Sequence, residues 1–217
     1  MYCIYTDREI NLKNTNLEHI IPLSLGGCND FLLRVDADKN SKLGSHIDGR
    51  LSNDFLISSL RRHKDLRGHS KKVPETILKK SKLKATNQPI QVIFKGKSSY
   101  FFDPINKKKI SEDEMKGLTV QSTFKTDNNI RMLFTAKVLL ATGYFIYGNT
   151  FRKYADHNSL RKLMNYQLIE TDKTIKNLPL EFSDSFHEIP KQSKGLLSVF
   201  DLICNAIDCS CVMFLLC

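Results

Sequence analysis

The sequence predicts an α+β protein, with a strand–loop–strand–helix module at the N-terminus and a longer α+β region behind it. Two short runs rich in β-formers, Leu17 to Ile21 and Phe31 to Val35, bracket a loop holding Pro22 and Gly26-Gly27 and lead directly into a helical apolar stripe. Past Asn87 the apolar period changes to two, the mark of half-buried strands. From Ile130 to Tyr147 a helical period returns over a stretch long enough for a largely buried helix.

Each element follows from local chemistry. Residues 2–10 read as a short strand and turn with Asp7-Arg8-Glu9 at its tip. The strand at about 17–21 presents Glu18 and His19 to opposite faces, because side chains alternate along a strand. Pro22 has no N–H to give and ends that ladder. Asp36 or Asp38 caps the helix that follows the second strand, which puts Asn40 in its first turn, facing the hairpin. On a helical period from Asn40, Gly44 and Asp48 fall on the same side. Gly44 there allows a close approach, and Asp48 either joins the shell of a bound ion or is structural. Ile47, Leu51, Phe55 and Leu60 mark the core stripe of one helix over about 46–63.

Between Arg61 and Lys84 ten basic side chains meet only two acids, Asp65 and Glu75. The chain is therefore divided into a module over 1–60, a basic linker over 61–87 and an accessory α+β domain over 88–217. Arg61, Arg62, Lys64, Arg67, Lys71 and Lys72 are the candidate contacts to nucleic-acid phosphates, the alternative being a solvated face or tether. Gly68 and Pro74 divide this segment into a loop and a helix around 75–83. A hairpin follows, with strands over 90–94 and 98–102, then strands over 107–110 and 119–124. Gly148 ends the apolar helix, a more polar helix covers 151–166, and further strands are expected near 179–188 and in 195–217. Asp201, Asn205 and Asp208 interrupt that last apolar stretch, which argues for a buried strand pair over a bilayer anchor.

A formal charge of +10 and a pI near 9.3 direct the protein towards polyanions. The six cysteines lack a repeating framework, so reduced thiols in a cytoplasm are expected over a secreted disulfide scaffold. The first residues show no signal-peptide pattern, and no membrane partner is expected.

The carboxylate of Glu18 and the amide oxygen of Asn40 are hard ligands that suit Mg²⁺ or Mn²⁺, and His19 can serve as general base. The pattern Cys3-Ile4-Tyr5, Glu18-His19-Ile20-Ile21-Pro22, Leu25-Gly26-Gly27, Asn40-Ser41, Gly44-Ser45 and Ile47-Asp48 resembles the HNH endonucleases of the ββα-metal fold. Within them it is most similar to restriction- and defence-type proteins that carry this module at the N-terminus. The close resemblance covers about residues 3–60. It implies that Glu18 and Asn40 bind one divalent ion, that His19 activates water, and that a backbone carbonyl of the second strand orients His19. It implies DNA as substrate, and a second copy or a defence-system protein as partner.

Two departures from that family stand out. Its two Cys-x-x-Cys pairs, which hold a structural zinc, read here Cys3-Ile4-Tyr5-Thr6 and Asp36-Ala37-Asp38-Lys39. A thiolate, a hydroxyl, a carboxylate and an ammonium do not make a soft tetrahedral site, so hydrogen bonds and an Asp36–Lys39 ion pair are expected in place of structural Zn²⁺. The family's middle asparagine is replaced by Phe31, with Asn29 the nearest substitute as a loop brace. The competing readings are a nucleic-acid-binding module whose nuclease site has decayed, and an effector subunit activated by a partner.

Overall fold

The computed structural model describes residues 1–125 and 127–166, so the strands expected near 179–188 and in 195–217 lie outside the described residues. Strands β1 (Tyr2–Cys3) and β2 (Arg8–Glu9) pair antiparallel around a turn over 4–7. The expected tip at Asp7-Arg8-Glu9 thus moves back: only Asp7 belongs to the turn, with a left-handed φ of 58°. β3 (Thr15–His19) pairs antiparallel with β4 (Leu32–Asp36), Glu18 opposite Leu33 and His19 opposite Leu32. The loop between them makes one helical turn over Leu23–Leu25 and closes on Gly26, whose φ of 93° favours a residue without Cβ.

Asp36 ends β4 and caps helix α1 (Ala37–Leu43), its Oδ1 accepting the Lys39 N–H at 2.8 Å. Over Gly44–Asp48 the helix widens, Gly49 N–H reaching back to the carbonyl of Gly44, which re-aims Asp48 relative to an unbroken α-helix. The close approach expected at Gly44 is absent: a Cβ there would meet nothing within 4 Å. Helices α2 (Gly49–Ser52) and α3 (Phe55–His63) replace the single helix expected over 46–63. The break falls at Asn53-Asp54, because the Asp54 carboxylate accepts the Leu56 N–H at 3.1 Å and starts a new helix.

There follow β5 (Glu75–Leu83), β6 (Pro89–Lys95), β7 (Ser98–Asp103), β8 (Lys108–Ile110), the single turn α4 (Glu112–Met115) and β9 (Val120–Thr123). They form an antiparallel sheet in the order β8-β7-β6-β5-β9. Residues 75–83 are therefore a strand, where a helix was expected. Their lysines suit a helix locally, but cross-strand pairing with β6 and β9 and burial of Thr76, Ser81 and Leu83 override that preference.

Helix α5 (Asn128–Tyr147) ends at Gly148 as expected, with φ of 51° there. The polar helix expected over 151–166 is two, α6 (Asn149–Tyr154) and α7 (His157–Met164), because Asp156 caps the second by accepting the Ser159 N–H at 3.0 Å. A Cβ on Gly143 would lie 2.2 Å from the Phe151 ring, so α5 and α6 touch there through glycine. The stretch Asn129–Tyr147 is long and apolar enough to cross a membrane, but 61% of it is buried inside the protein, as in a core helix.

Two compact units interleave in sequence. One comprises 1–21, 27–49 and the described residues from 128 onward; the other comprises 22–26 and 50–127. The expected segments 1–60, 61–87 and 88–217 do not coincide with them: α5, α6 and α7 go with the N-terminal hairpins, and 61–87 holds the end of α3 and all of β5 rather than a linker. In the first unit the core is built from Ile4, Ile20, Val35, Leu43 and Ile47 together with Leu133, Leu140 and Met164. In the second, Leu83, Ile90 and Met115 pack with Phe101, Ile110 and Val120. Each such side chain stabilises the fold by about 1.5–3 kcal/mol relative to exposure.

The corner between residues 3–6 and 36–39 is tied by hydrogen bonds. Cys3 Sγ accepts the Asp36 N–H at 3.3 Å, and Arg161 of α7 donates to the carbonyl of Ile4 at 3.0 Å. The expected Asp36–Lys39 ion pair is replaced: the Lys39 ammonium donates to Asn165 Oδ1, just past α7.

Candidate functional site

Glu18 faces inward from β3 and is 4% exposed. Its Oε1 is paired with the ammonium of Lys137, and the same ammonium meets Asp48 Oδ2 at 2.5 Å. Lys137 comes from the middle of α5 and its side chain is 0% exposed. The fold thus brings Glu18 and Asp48 together through a lysine far along the chain. The widened turn before Gly49 and the alternation of β3 aim the two acids at that point.

The remaining oxygens of the pair, Glu18 Oε2 and Asp48 Oδ1, are buried without a hydrogen-bond partner, as is the hydroxyl of Tyr5 nearby. Two carboxylates and one ammonium leave the cluster one positive charge short. Burial pushes both carboxyls above the usual carboxylate range, against the pull of Lys137. Burial alone would lower Lys137, but Asp48 and Glu18 together outweigh it and hold its ammonium above the ordinary lysine range. Burial also raises the Tyr5 hydroxyl, with the two carboxylates adding to the effect.

Asn40 lies on the same side of the hairpin. Its Nδ2 donates to Asn16 Oδ1 at 2.9 Å, and Asn16 shares a face of β3 with Glu18, two residues on. Its amide is tied to Asn16 rather than to Glu18, and its own oxygen takes no part in that bond. His19 is half-buried and points to the opposite face. Its Nε2 lies 3.0 Å from Oδ1 of Asn29, a loop side chain, where the resemblance implied a strand carbonyl. Facing an amide oxygen, Nε2 is the donor in one of the ring's two tautomers.

Among the described residues no three His, Cys, Asp or Glu side chains converge as a metal cage. The orphaned oxygens of Glu18 and Asp48 and the charge deficit nevertheless suit a hard divalent ion. Mg²⁺ or Mn²⁺ takes one or two carboxylates and keeps several waters.

The six expected phosphate contacts divide by chemistry. Arg61 donates to the carbonyls of Ser24 at 2.7 Å and Ser52 at 2.9 Å, and burial lowers its pKa. Arg62 donates to the carbonyl of Gly96 at 2.8 Å and lies over the Phe94 ring, and Arg67 is paired with Asp65 at 2.8 Å. Arg61 and Arg62 are thus engaged by backbone carbonyls, while Arg67 shares an exposed ion pair with its neighbour. Lys64, Lys71 and Lys72 are exposed, as are Lys79, Lys80, Lys82 and Lys84 along β5 and just beyond.

Lys137 escaped the sequence reading. A lysine in the middle of the apolar run from Ile130 to Tyr147 was the available signal, since a lysine is seldom fully buried unless paired.

A family model described as HNH endonuclease matches residues 3–56. Comparison with curated proteins and with solved structures gives no match.

Proposed function

Residues 3–56 thus form a module of the HNH endonuclease family, and on that premise we propose that the protein is a divalent-metal-dependent endonuclease hydrolysing DNA phosphodiester bonds. The observation that carries this reading lies inside the matched segment: a pair of orphaned carboxylate oxygens, one from Glu18, in the residue next to a half-buried imidazole. Glu18, Asp48 and Asn40 would hold Mg²⁺ or Mn²⁺, which when bound neutralises charge developing on the scissile phosphate and the departing 3′-oxygen. His19 takes a proton from the attacking water while the water oxygen bonds to phosphorus and the bond to the 3′-oxygen breaks. Asn29 holds the ring against rotation. Lys64, Lys71 and Lys72 bind flanking phosphates without reading sequence.

The similarity to restriction- and defence-type proteins extends the proposal to a role against foreign DNA in the cytoplasm, in company with a second copy or a partner protein. One site cuts one strand, so double-strand cleavage needs two.

The test is plasmid nicking in Mg²⁺, Mn²⁺ and EDTA. His19→Ala is expected to lose at least about 100-fold in rate while DNA affinity stays within a few-fold. Unchanged cutting by that variant removes His19 from the mechanism, and salt-dependent binding without metal-dependent nicking identifies a decayed module.

A further inference from the structure

We propose that Lys137 couples metal loading to substrate, so that the site takes a divalent ion tightly only together with a phosphodiester. The proposal rests on the reading of Glu18 and Asp48 as ligands of that ion. Their Oε1 and Oδ2 already hold one complete positive charge, on a side chain 0% exposed to water. Alone, the cluster lacks one positive charge. A divalent ion on Glu18 Oε2 and Asp48 Oδ1 overshoots and leaves one in excess, beside an ammonium with no solvent to screen it. The single negative charge of a scissile phosphodiester restores neutrality. Without Lys137 the two carboxylates would neutralise the ion by themselves, and no anion would be required.

The coupling is reciprocal: whatever factor the phosphodiester adds to ion affinity, the ion adds to phosphodiester affinity. Lys137 sits on α5, outside the matched residues 3–56, so this property belongs to a helix added to the module.

The test uses the full chain carrying His19→Ala, which halts turnover. Mn²⁺ binding is followed by electron paramagnetic resonance with and without a saturating short DNA duplex, and ions held by the DNA itself are subtracted with a Glu18→Gln control. DNA is expected to tighten Mn²⁺ by about 30-fold, within the usual span of coupling. Adding Lys137→Met is expected to give tight Mn²⁺ binding without DNA and a factor below about five. A factor below five in the protein that retains Lys137, or an undiminished one in Lys137→Met, overturns the proposal. Absence of Mn²⁺ binding above the control in every sample removes the metal reading itself. If Lys137→Met does not fold, ¹⁵N-lysine spectra of the parent decide. The Lys137 Nζ signal must move when Mg²⁺ and DNA are added together and stay in place with Mg²⁺ alone, and any other pattern refutes the coupling.

Discussion

In the first compact unit a lysine is sealed between two carboxylates at 0% exposure, while in the second Lys79, Lys80, Lys82 and Lys84 stand in water along one strand and its end. The residue type is the same and the physics is opposite. Water and salt screen the strand lysines, whose pairings are worth about 0–1 kcal/mol. Lys137 has no such screening, so its charge is fixed to the fold and cannot be removed without leaving an unbalanced interior. Burial, more than charge count, marks which cations of a basic protein are committed to a site and which are interchangeable.

The comparison is broken most directly at its extreme. Lys137→Met leaves two carboxylates buried without a counter-charge and is expected to cost about 3–5 kcal/mol in denaturant unfolding. A loss no larger than that of a strand lysine would mean that the buried charge is not special. Next in size is Gly143→Ala, whose methyl would collide with Phe151 in the α5–α6 contact and cost about 1–3 kcal/mol. Gly44→Ala, with open space around its Cβ and helical dihedrals, should instead gain up to about 1 kcal/mol, and thermal melts of the two variants give the sign.

A third effect is read in pH. Glu18 and Asp48 have raised pKa values in the fold, so the proton they keep stabilises it below the ordinary carboxylate value near 4, and that contribution is lost as pH rises through the folded values. Lys137 is also raised, so its contribution is present below the ordinary lysine range and lost only as pH climbs through the higher folded value. Asp48→Asn removes one raised carboxyl, and the melting temperature of the variant relative to the parent should therefore rise between weakly acidic and neutral pH. The smallest effect is Lys80→Ala with Lys82→Ala, expected within about 0.5 kcal/mol each in stability. Each should lower the slope of DNA affinity against salt by about one if it touches a phosphate.

Much of the fold around the candidate site was legible because its parts are local. The strand–loop–strand around Glu18-His19, the Asp36 cap and the long helix ended by Gly148 each declare themselves within a few residues. What escaped is non-local. Residues 75–83 look helical alone and become a strand only because β6 and β9 flank them. The bonds that the arginines at 61 and 62 make to backbone carbonyls of Ser24, Ser52 and Gly96 are likewise invisible to local sequence. Lys137 acquires meaning only when α5 brings it against acids contributed by the first fifty residues.

The closed corner at Cys3 has a practical meaning for any experiment with chelators. In a protein knitted together by zinc thiolates, EDTA attacks scaffold and chemistry at once, and a dead sample says little about either. Here the thiol of Cys3 is engaged by an amide, and Lys39 and Arg161 lash that corner to the chain around the last described helix. On the proposed metal-dependent reading, stripping ions should silence hydrolysis and leave the melting curve in place, and a melt that shifts with EDTA would reveal an ion in the scaffold.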